Sequence, residues 1–164
     1  MWRRILLSTL IVAPIGTALH FAYPWTGRNA IAGLFAPLNE STWEHLKLAY
    51  WPMLLLAPVQ RRIYGNPPGW LPATAIRTIS APLLIIVLFY GYTAILGTHQ
   101  LPLDVGVFVL SVFGGETLGH LVMERRFSRR ARAVAGAAIL LMAGAFVAFS
   151  LRAPPGVLFA RLGA

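Results

Sequence analysis

Long apolar runs constrain this chain more than any other feature of its sequence. A helix that crosses a lipid bilayer needs about 20 consecutive, mostly apolar residues. Hydrophobic residues make up 57% of the 164-residue chain and charged residues only 12%, whereas a typical soluble domain is about 25% charged. So much apolar surface must face lipid, and the sequence predicts membrane-spanning helices at residues 5–22, 73–96, 103–123 and 133–151.

A fifth span is expected at residues 42–59, although its first turn carries charged residues. The apolar run that follows those charges is typical of a membrane helix. Residues 28–41 are moderately apolar and too short to span, so we expect them to lie in the outer interface or to re-enter the bilayer. The predicted fold class is all-α, a polytopic transmembrane helix bundle of about five spans in a single domain, residues 1–164.

The arginines are distributed unevenly between the loops that this arrangement places on opposite sides of the membrane. The positive-inside rule assigns the Arg-rich loops to the cytoplasm, which puts the N-terminus inside and predicts a multi-pass protein of the bacterial inner (cytoplasmic) membrane. Short basic groups between apolar runs suit anionic lipid headgroups and not nucleic acid. The arginines placed inside are Arg3, Arg4, Arg61, Arg62, Arg77, Arg125, Arg126, Arg129, Arg130 and Arg132, and those placed outside are Arg28, Arg152 and Arg161.

The N-terminal run has the charge and apolar character of a signal peptide. Its apolar part extends to about Phe21 and is not followed by a clean small-residue cleavage motif, so we expect an uncleaved first span. The chain contains no cysteine, which excludes disulfide, thiol and cysteine-ligated iron–sulfur chemistry.

The densest polar cluster is the run Asn-Glu-Ser-Thr-Trp-Glu-His-Leu-Lys at residues 39–47. Its amide and hydroxyl side chains can cap the helix that follows, but capping does not explain a Glu, a His and a Lys within one turn. In a helix that begins early enough, Glu40, Glu44 and Lys47 share one face, and His45 points about 100° away. The candidate site residues of this run are Asn39, Glu40, Glu44, His45 and Lys47.

A second polar cluster lies in the fourth span, where Glu116 and His120 project from one helix face. Counting back from Arg126 at about 1.5 Å per residue places Glu116 about 15 Å from the cytoplasmic interface, near the middle of the bilayer. A charge there costs at least about 2.5–3.5 kcal/mol unless it is paired, protonated or hydrated. The alternative role is a neutral Glu116 that hydrogen-bonds His120 and holds helices together.

The same rise per residue places His20 at the same depth as Glu44 and His45, and farther from the cytoplasmic interface than His120. These depths indicate a polar column from the outer face to mid-membrane, in which the long stem of Lys47 could bridge down to Glu116. A divalent metal is the candidate cofactor. The candidate ligand sets are His20, Glu44 and His45, or Glu116 and His120. The residues given ordinary interfacial or loop roles are Asp104, Glu124 and His99.

The run from Asn39 to Lys47 resembles the hallmark of an uncharacterised family of small bacterial multi-pass membrane proteins, catalogued as a domain of unknown function. Its motif is Asn-Glu-Ser-x-Trp-Glu-His-x-Lys. In that family the motif follows a His-Phe-x-Tyr-x-Trp-like segment, matched here by residues 20–25, and precedes a Gly-Glu-x-x-Gly-His-like element, matched here by residues 115–120. The resemblance supports the candidate site residues and implies no particular activity.

Three functions remain open. The favoured one is an intramembrane Glu/His/Lys site that binds or conducts a cation, a proton or a small polar solute. The second is a metal-dependent membrane enzyme that acts on a lipid or isoprenoid, so the sequence leaves enzymatic activity undecided. The third is an accessory subunit of a membrane complex. The expected partners are the lipid bilayer and either further copies of this chain or subunits of a complex, and nucleic acid is not expected.

Overall fold

The computed structural model describes residues 1–161. Within them, six α-helices and one short 3₁₀-helix account for the regular structure, and no β-strand occurs, which confirms the all-α fold class. Each of the five long helices overlaps one of the predicted spans. The helices are α1 (Trp2–Trp25), α2 (Ala30–Phe35), α3 (Thr42–Ile63), α4 (Trp70–Leu96), α5 (Leu101–Val122), α6 (Arg129–Leu151) and the 3₁₀-helix Val157–Phe159.

Four of the long helices, α1, α4, α5 and α6, are long and apolar enough to cross a membrane. Much of their apolar surface points outwards, and on α6 the side chains of Leu140 and Leu141 are 73% and 74% exposed. Soluble monomers rarely leave apolar faces of this extent in water. The chain is therefore a membrane protein whose outer surface is suited to lipid.

The helix α3 has 22 residues, as many as α5, but it is less apolar and is not among the helices that are apolar enough to cross a membrane. Its polar side chains Glu44, Lys47 and Gln60 are all buried inside the bundle. Polar groups that face protein are tolerated within a membrane bundle, whereas lipid-facing charges are not. The buried polar residues lower the hydropathy of α3 although they do not face lipid. Its role as the fifth span stays a prediction.

Glycines bring the helices close together at two places. In α5, a Cβ atom on Gly115 would lie 2.9 Å from the carbonyl oxygen of Arg77 in α4, so the two backbones touch there. In α1, a Cβ atom on Gly16 would lie 2.5 Å from the carbonyl oxygen of Leu48 in α3. Small residues at such crossings are the usual way in which membrane helices approach each other.

The apolar core fills the middle of the bundle. Val12 of α1, Met53 of α3 and Val112 of α5 are completely buried there, and Tyr50 of α3 packs against Phe146 of α6 in the same cluster. This apolar layer separates the polar groups near the C-terminal end of α1 from those near its N-terminal end.

Candidate functional site

The start of α3 determines which way the polar residues of the motif point. The Ser41 Oγ accepts a hydrogen bond from the Glu44 N–H at 3.4 Å, and the Asn39 Oδ1 accepts one from the Ser41 N–H at 2.9 Å. Ser41 is thus the N-cap of the helix, and Glu40 precedes it. The helix therefore begins too late for Glu40 to share a helical face with Glu44 and Lys47, which was expected only for an earlier start.

Glu40 turns instead towards two imidazoles, those of His20 in α1 and His45 in α3. One ligand atom from each of these three residues lies within 4.8 Å of the other two. The His45 Nε2 is 3.3 Å from a Glu40 carboxylate oxygen, and the two imidazole centroids are 5.1 Å apart. We call His20, Glu40 and His45 the metal group.

The backbone orients the imidazole ring of His45. Its Nδ1 lies 2.8 Å from the carbonyl oxygen of Ser41, and because a carbonyl only accepts, Nδ1 carries the proton. Nε2 is then the ring nitrogen that faces Glu40. Histidines that bind metals are commonly held in this way, with the other ring N–H donated to a carbonyl or carboxylate.

His20 completes the group, since its Nδ1 is buried and has no hydrogen-bond partner among the described residues. Zinc ligands lie about 2.0–2.2 Å from the ion, so neighbouring ligand atoms around it are roughly 3.3–3.6 Å apart. The spacing between His45 and Glu40 already matches, and the 4.8 Å limit for the group requires only small side-chain movements. The donor set therefore fits a divalent ion.

The metal group lies at the edge of a cavity of about 560 Å³. The cavity is formed by the C-terminal halves of α1 and α4 and the N-terminal halves of α3 and α5. Below the cavity, Gly16 and Phe108 bring α1 and α5 into contact, since a Cβ on Gly16 would lie 2.7 Å from the Phe108 ring. Above this contact the two helices leave a space between them. The lining residues are Thr17, His20, Phe21, Glu40, Thr42, His45, Leu48, Ile85, Phe89, His99, Leu101, Asp104, Val105, Val107 and Phe108.

A second polar pair, His99 and Asp104, also lines this cavity. The His99 Nδ1 is 3.2 Å from Asp104 Oδ2, and the Tyr92 hydroxyl donates a hydrogen bond to Asp104 Oδ1. The sequence assigns ordinary loop and helix-terminal roles to His99 and Asp104. The available signal was their separation of five residues around the start of an apolar helix, which allows a chain turn to bring them together.

Glu44 and Lys47 form a separate, buried pair on the opposite side of α3. The Lys47 Nζ donates to a Glu44 carboxylate oxygen at 2.8 Å and to the carbonyl oxygens of Gly33 and Ala36 at 2.9 and 3.2 Å. The same Glu44 also accepts a hydrogen bond from the Ser150 hydroxyl. The predicted ligand set with Glu44 is therefore not assembled, because this carboxylate is already occupied in holding α2 and α6 against α3.

The second buried cluster contains Glu116 but not Lys47, so the predicted bridge between them is absent from the described residues. Gln60 of α3 donates to Glu116 Oε2 at 3.2 Å and to the Ser8 hydroxyl at 2.8 Å. Lys47 lies thirteen residues before Gln60, about 20 Å away along the helix. Glu116 is consequently close to the N-terminal end of α1, and not at the centre of the bundle.

Arg77 neutralises Glu116. The sequence places this arginine among the cytoplasmic cations, but its side chain is completely buried, with Nη1 3.6 Å from a Glu116 oxygen. Arg77 also donates hydrogen bonds to Gln60 and Thr74. An arginine four residues inside a predicted span, opposite a lone intramembrane Glu, was the signal for this pair.

His120 does lie beside Glu116, as the i, i+4 spacing predicts. Its Nδ1 donates to the Glu116 carbonyl oxygen at 3.0 Å and is 3.8 Å from the carboxylate. The ring packs against Tyr64, with centroids 5.4 Å apart. The Arg77 guanidinium next to Glu116 disfavours a cation here, so the geometry is that of an interhelical ion pair.

The two clusters do not form the continuous polar column that the depths indicate. Between the metal group and Glu116 lie Val12, Met53 and Val112, which are completely buried and apolar. The described residues therefore contain two polar regions at opposite ends of an apolar core.

Comparisons with known proteins place the chain in a family. No curated protein and no solved structure matches the chain. The model of a family of unknown function, DUF6512, matches residues 1–161. Because the match covers nearly the whole chain, the protein belongs to the family of unknown function DUF6512.

Proposed function

We propose that this membrane protein binds a divalent metal ion through His20, Glu40 and His45. The observation that carries the proposal is the convergence of two imidazoles and a carboxylate at the edge of a cavity, within 4.8 Å of one another. The hydrogen bond from His45 to the Ser41 carbonyl oxygen supports it, since this bond occupies Nδ1 and leaves Nε2 as the ring nitrogen that can bind an ion.

Zinc is the ion that this donor set suits best. Two histidines and one carboxylate are a ligand set of catalytic zinc sites, in which the fourth position stays open for water or substrate. In this protein the open position would face the cavity, because all three residues line it. The site would thus be able to bind a further ligand.

We favour binding over conduction of the ion. A conducting path needs polar groups at successive depths, and the apolar core of Val12, Met53 and Val112 interrupts such a path. In addition, the Arg77 charge beside Glu116 would repel a cation that reached the second cluster. Both features favour a metal group that is open only on the side of the C-terminal end of α1, with no path for the ion through the bundle.

Metal analysis of the purified protein in detergent tests the proposal. We expect about one zinc ion per chain, and Co²⁺ substitution should produce the visible d–d absorption of a low-coordinate site. His45→Ala and Glu40→Gln should lose the ion. His99→Ala, which changes a histidine of the same cavity outside the metal group, should retain it.

Wild-type protein that holds no metal and takes up no Co²⁺ would refute the proposal. So would a metal that survives both His45→Ala and Glu40→Gln, because the ion would then lie elsewhere.

A second candidate function is a metal-dependent enzyme that acts on a lipid or isoprenoid. The observation in its favour is the His99–Asp104 pair in the same cavity, where Asp104 can orient His99 as a general acid or base. The lipids of cells with and without the protein should then differ by mass spectrometry. Asp104→Asn should abolish the difference while the metal content is unchanged.

We also propose that the protein lies in the bacterial inner membrane with its N-terminus in the cytoplasm, which places the metal group towards the outer face. The support is the clustering of arginines in the loop between α5 and α6 and near the start of α1. Reporter fusions after residues 64 and 126 should give cytoplasmic signals, and a fusion after residue 98 should give an external one. The reverse pattern would contradict this topology.

A further inference from the structure

We propose that the cavity beside the metal group holds the hydrocarbon chain of a single-chain lipid, whose oxygen-bearing head lies between the metal group and the His99–Asp104 pair. The part of this inference that concerns the head rests on the proposed metal site, because the metal ion would bind the oxygen of the head. The cavity, the access to it and the charges around it each contribute to the argument.

The cavity has the size and the walls of a lipid site. Its volume of about 560 Å³ is within the range of about 300–1,000 Å³ that is typical of ligand pockets. Its floor and walls include Leu48, Ile85 and Phe89, which are only 7–8% exposed, together with Phe108 at the contact between α1 and α5. An apolar compartment of this kind gives a hydrocarbon chain more favourable surroundings than a water-soluble ligand.

The rim of the cavity makes it reachable from the bilayer. Phe21 of α1 and Val105 of α5 line it and are 44% and 53% exposed. Both side chains are apolar and belong to helices that are suited to cross a membrane. A ligand that enters between α1 and α5 therefore passes apolar side chains, which favours entry from lipid.

The polar groups are confined to a few positions and restrict the head of the ligand. Glu40 and Asp104 each bring a carboxylate, and no lysine or arginine is found among the described residues that line the cavity. A divalent ion would offset these two negative charges and leave the cavity near neutrality. The head is consequently one with an oxygen ligand and at most one negative charge, such as a carboxylate, and not a polyanionic phosphate.

Photolabelling in lipid nanodiscs tests this inference with palmitate that carries a diazirine in its chain. We expect labelled peptides to contain cavity residues such as Ile85, Phe89 and Phe108. Excess unlabelled palmitate should compete, whereas acetate should not. A palmityl probe with a trimethylammonium head should label the cavity at least about tenfold less, a difference that corresponds to about 1.4 kcal/mol.

Two tryptophan substitutions in α5 provide a matched pair. Val105→Trp fills the rim and should reduce cavity labelling by about tenfold or more, with the metal content unchanged. Val109→Trp, one turn further on, replaces an exposed valine that does not line the cavity, and should leave the labelling as in the wild type.

The outcomes separate this inference from the proposed function. Labelling that is spread over lipid-facing residues such as Leu140, and that Val105→Trp does not change, would overturn the lipid site even if the metal is present. Cavity labelling of a wild-type protein that holds no metal and takes up no Co²⁺ would support the lipid site and refute the metal proposal.

Discussion

Glu116→Gln is the substitution from which we expect the largest loss of stability. It keeps the shape of the side chain but leaves the Arg77 guanidinium buried without its counter-charge. The two charged groups are 3.6 Å apart and both are 0% exposed, so their attraction is about 4–5 kcal/mol at an effective dielectric constant of about 20. Removal of one partner from a buried pair typically costs about 3–5 kcal/mol, and we expect a decrease of this size in the free energy of unfolding.

Reversible unfolding in mixed dodecyl maltoside and SDS micelles, followed by circular dichroism, measures this difference. Glu124→Gln is the matched control, because Glu124 is an exposed carboxylate in the loop after α5, and it should change the stability by less than about 0.5 kcal/mol. The double variant Arg77→Gln/Glu116→Gln removes both charges and should recover at least half of the loss. A single Glu116→Gln variant as stable as the control would refute the buried ion pair.

Three further experiments test the packing. Gly115→Ala should destabilise the protein by about 1–3 kcal/mol, because the new Cβ meets backbone at 2.9 Å, whereas Gly106→Ala, with nothing within 4 Å, should stabilise α5 slightly; the same unfolding assay would contradict this if both behaved alike. Lys47, the sole lysine of the chain, is 0% exposed and should resist amine-reactive esters until the protein is unfolded, which peptide mapping by mass spectrometry would show; rapid labelling of native protein would contradict its burial. Tyr50→Phe removes the hydrogen bond to the Ile139 carbonyl oxygen and should cost about 1 kcal/mol in the unfolding assay; an unchanged stability would argue against that bond.

The helical architecture could be predicted from the sequence because it depends on the length of apolar runs. Bilayer thickness imposes that length on every spanning helix, so the runs identify the long helices independently of how they pack. The helix α3 was the hardest to assign, since its charges face the inside of the bundle, and hydropathy does not distinguish inward from outward side chains.

The composition of the candidate site depended on details that helical periodicity does not contain. Glu40 joins His20 and His45 only because Ser41 begins the helix one residue later, which puts Glu40 in an irregular turn. Periodicity describes residues within a helix, and it gave Glu40 the face of Glu44. The cap was visible in the sequence as one of several possibilities, and only the surrounding fold selects among them.

Arg77 and the His99–Asp104 pair were missed because their roles depend on partners distant in sequence or across a loop. An arginine in the first turns of a span can extend to the interface, and the positive-inside rule treats all such arginines alike. Its burial against Glu116 follows from the close approach of α4 and α5 at Gly115, a three-dimensional contact.

The first turn of α3 carries two neighbouring residues with separate tasks. Glu44 points into the bundle and, with Lys47, holds α2 in place, whereas His45 points into the cavity. Among relatives of this chain, the residues that correspond to positions 39–47 should therefore not vary as one unit. Relatives that have lost the cavity chemistry would replace Glu40 and His45 together yet keep Glu44 and Lys47, and the co-variation of the second pair would follow the packing of α2 and not the ligand.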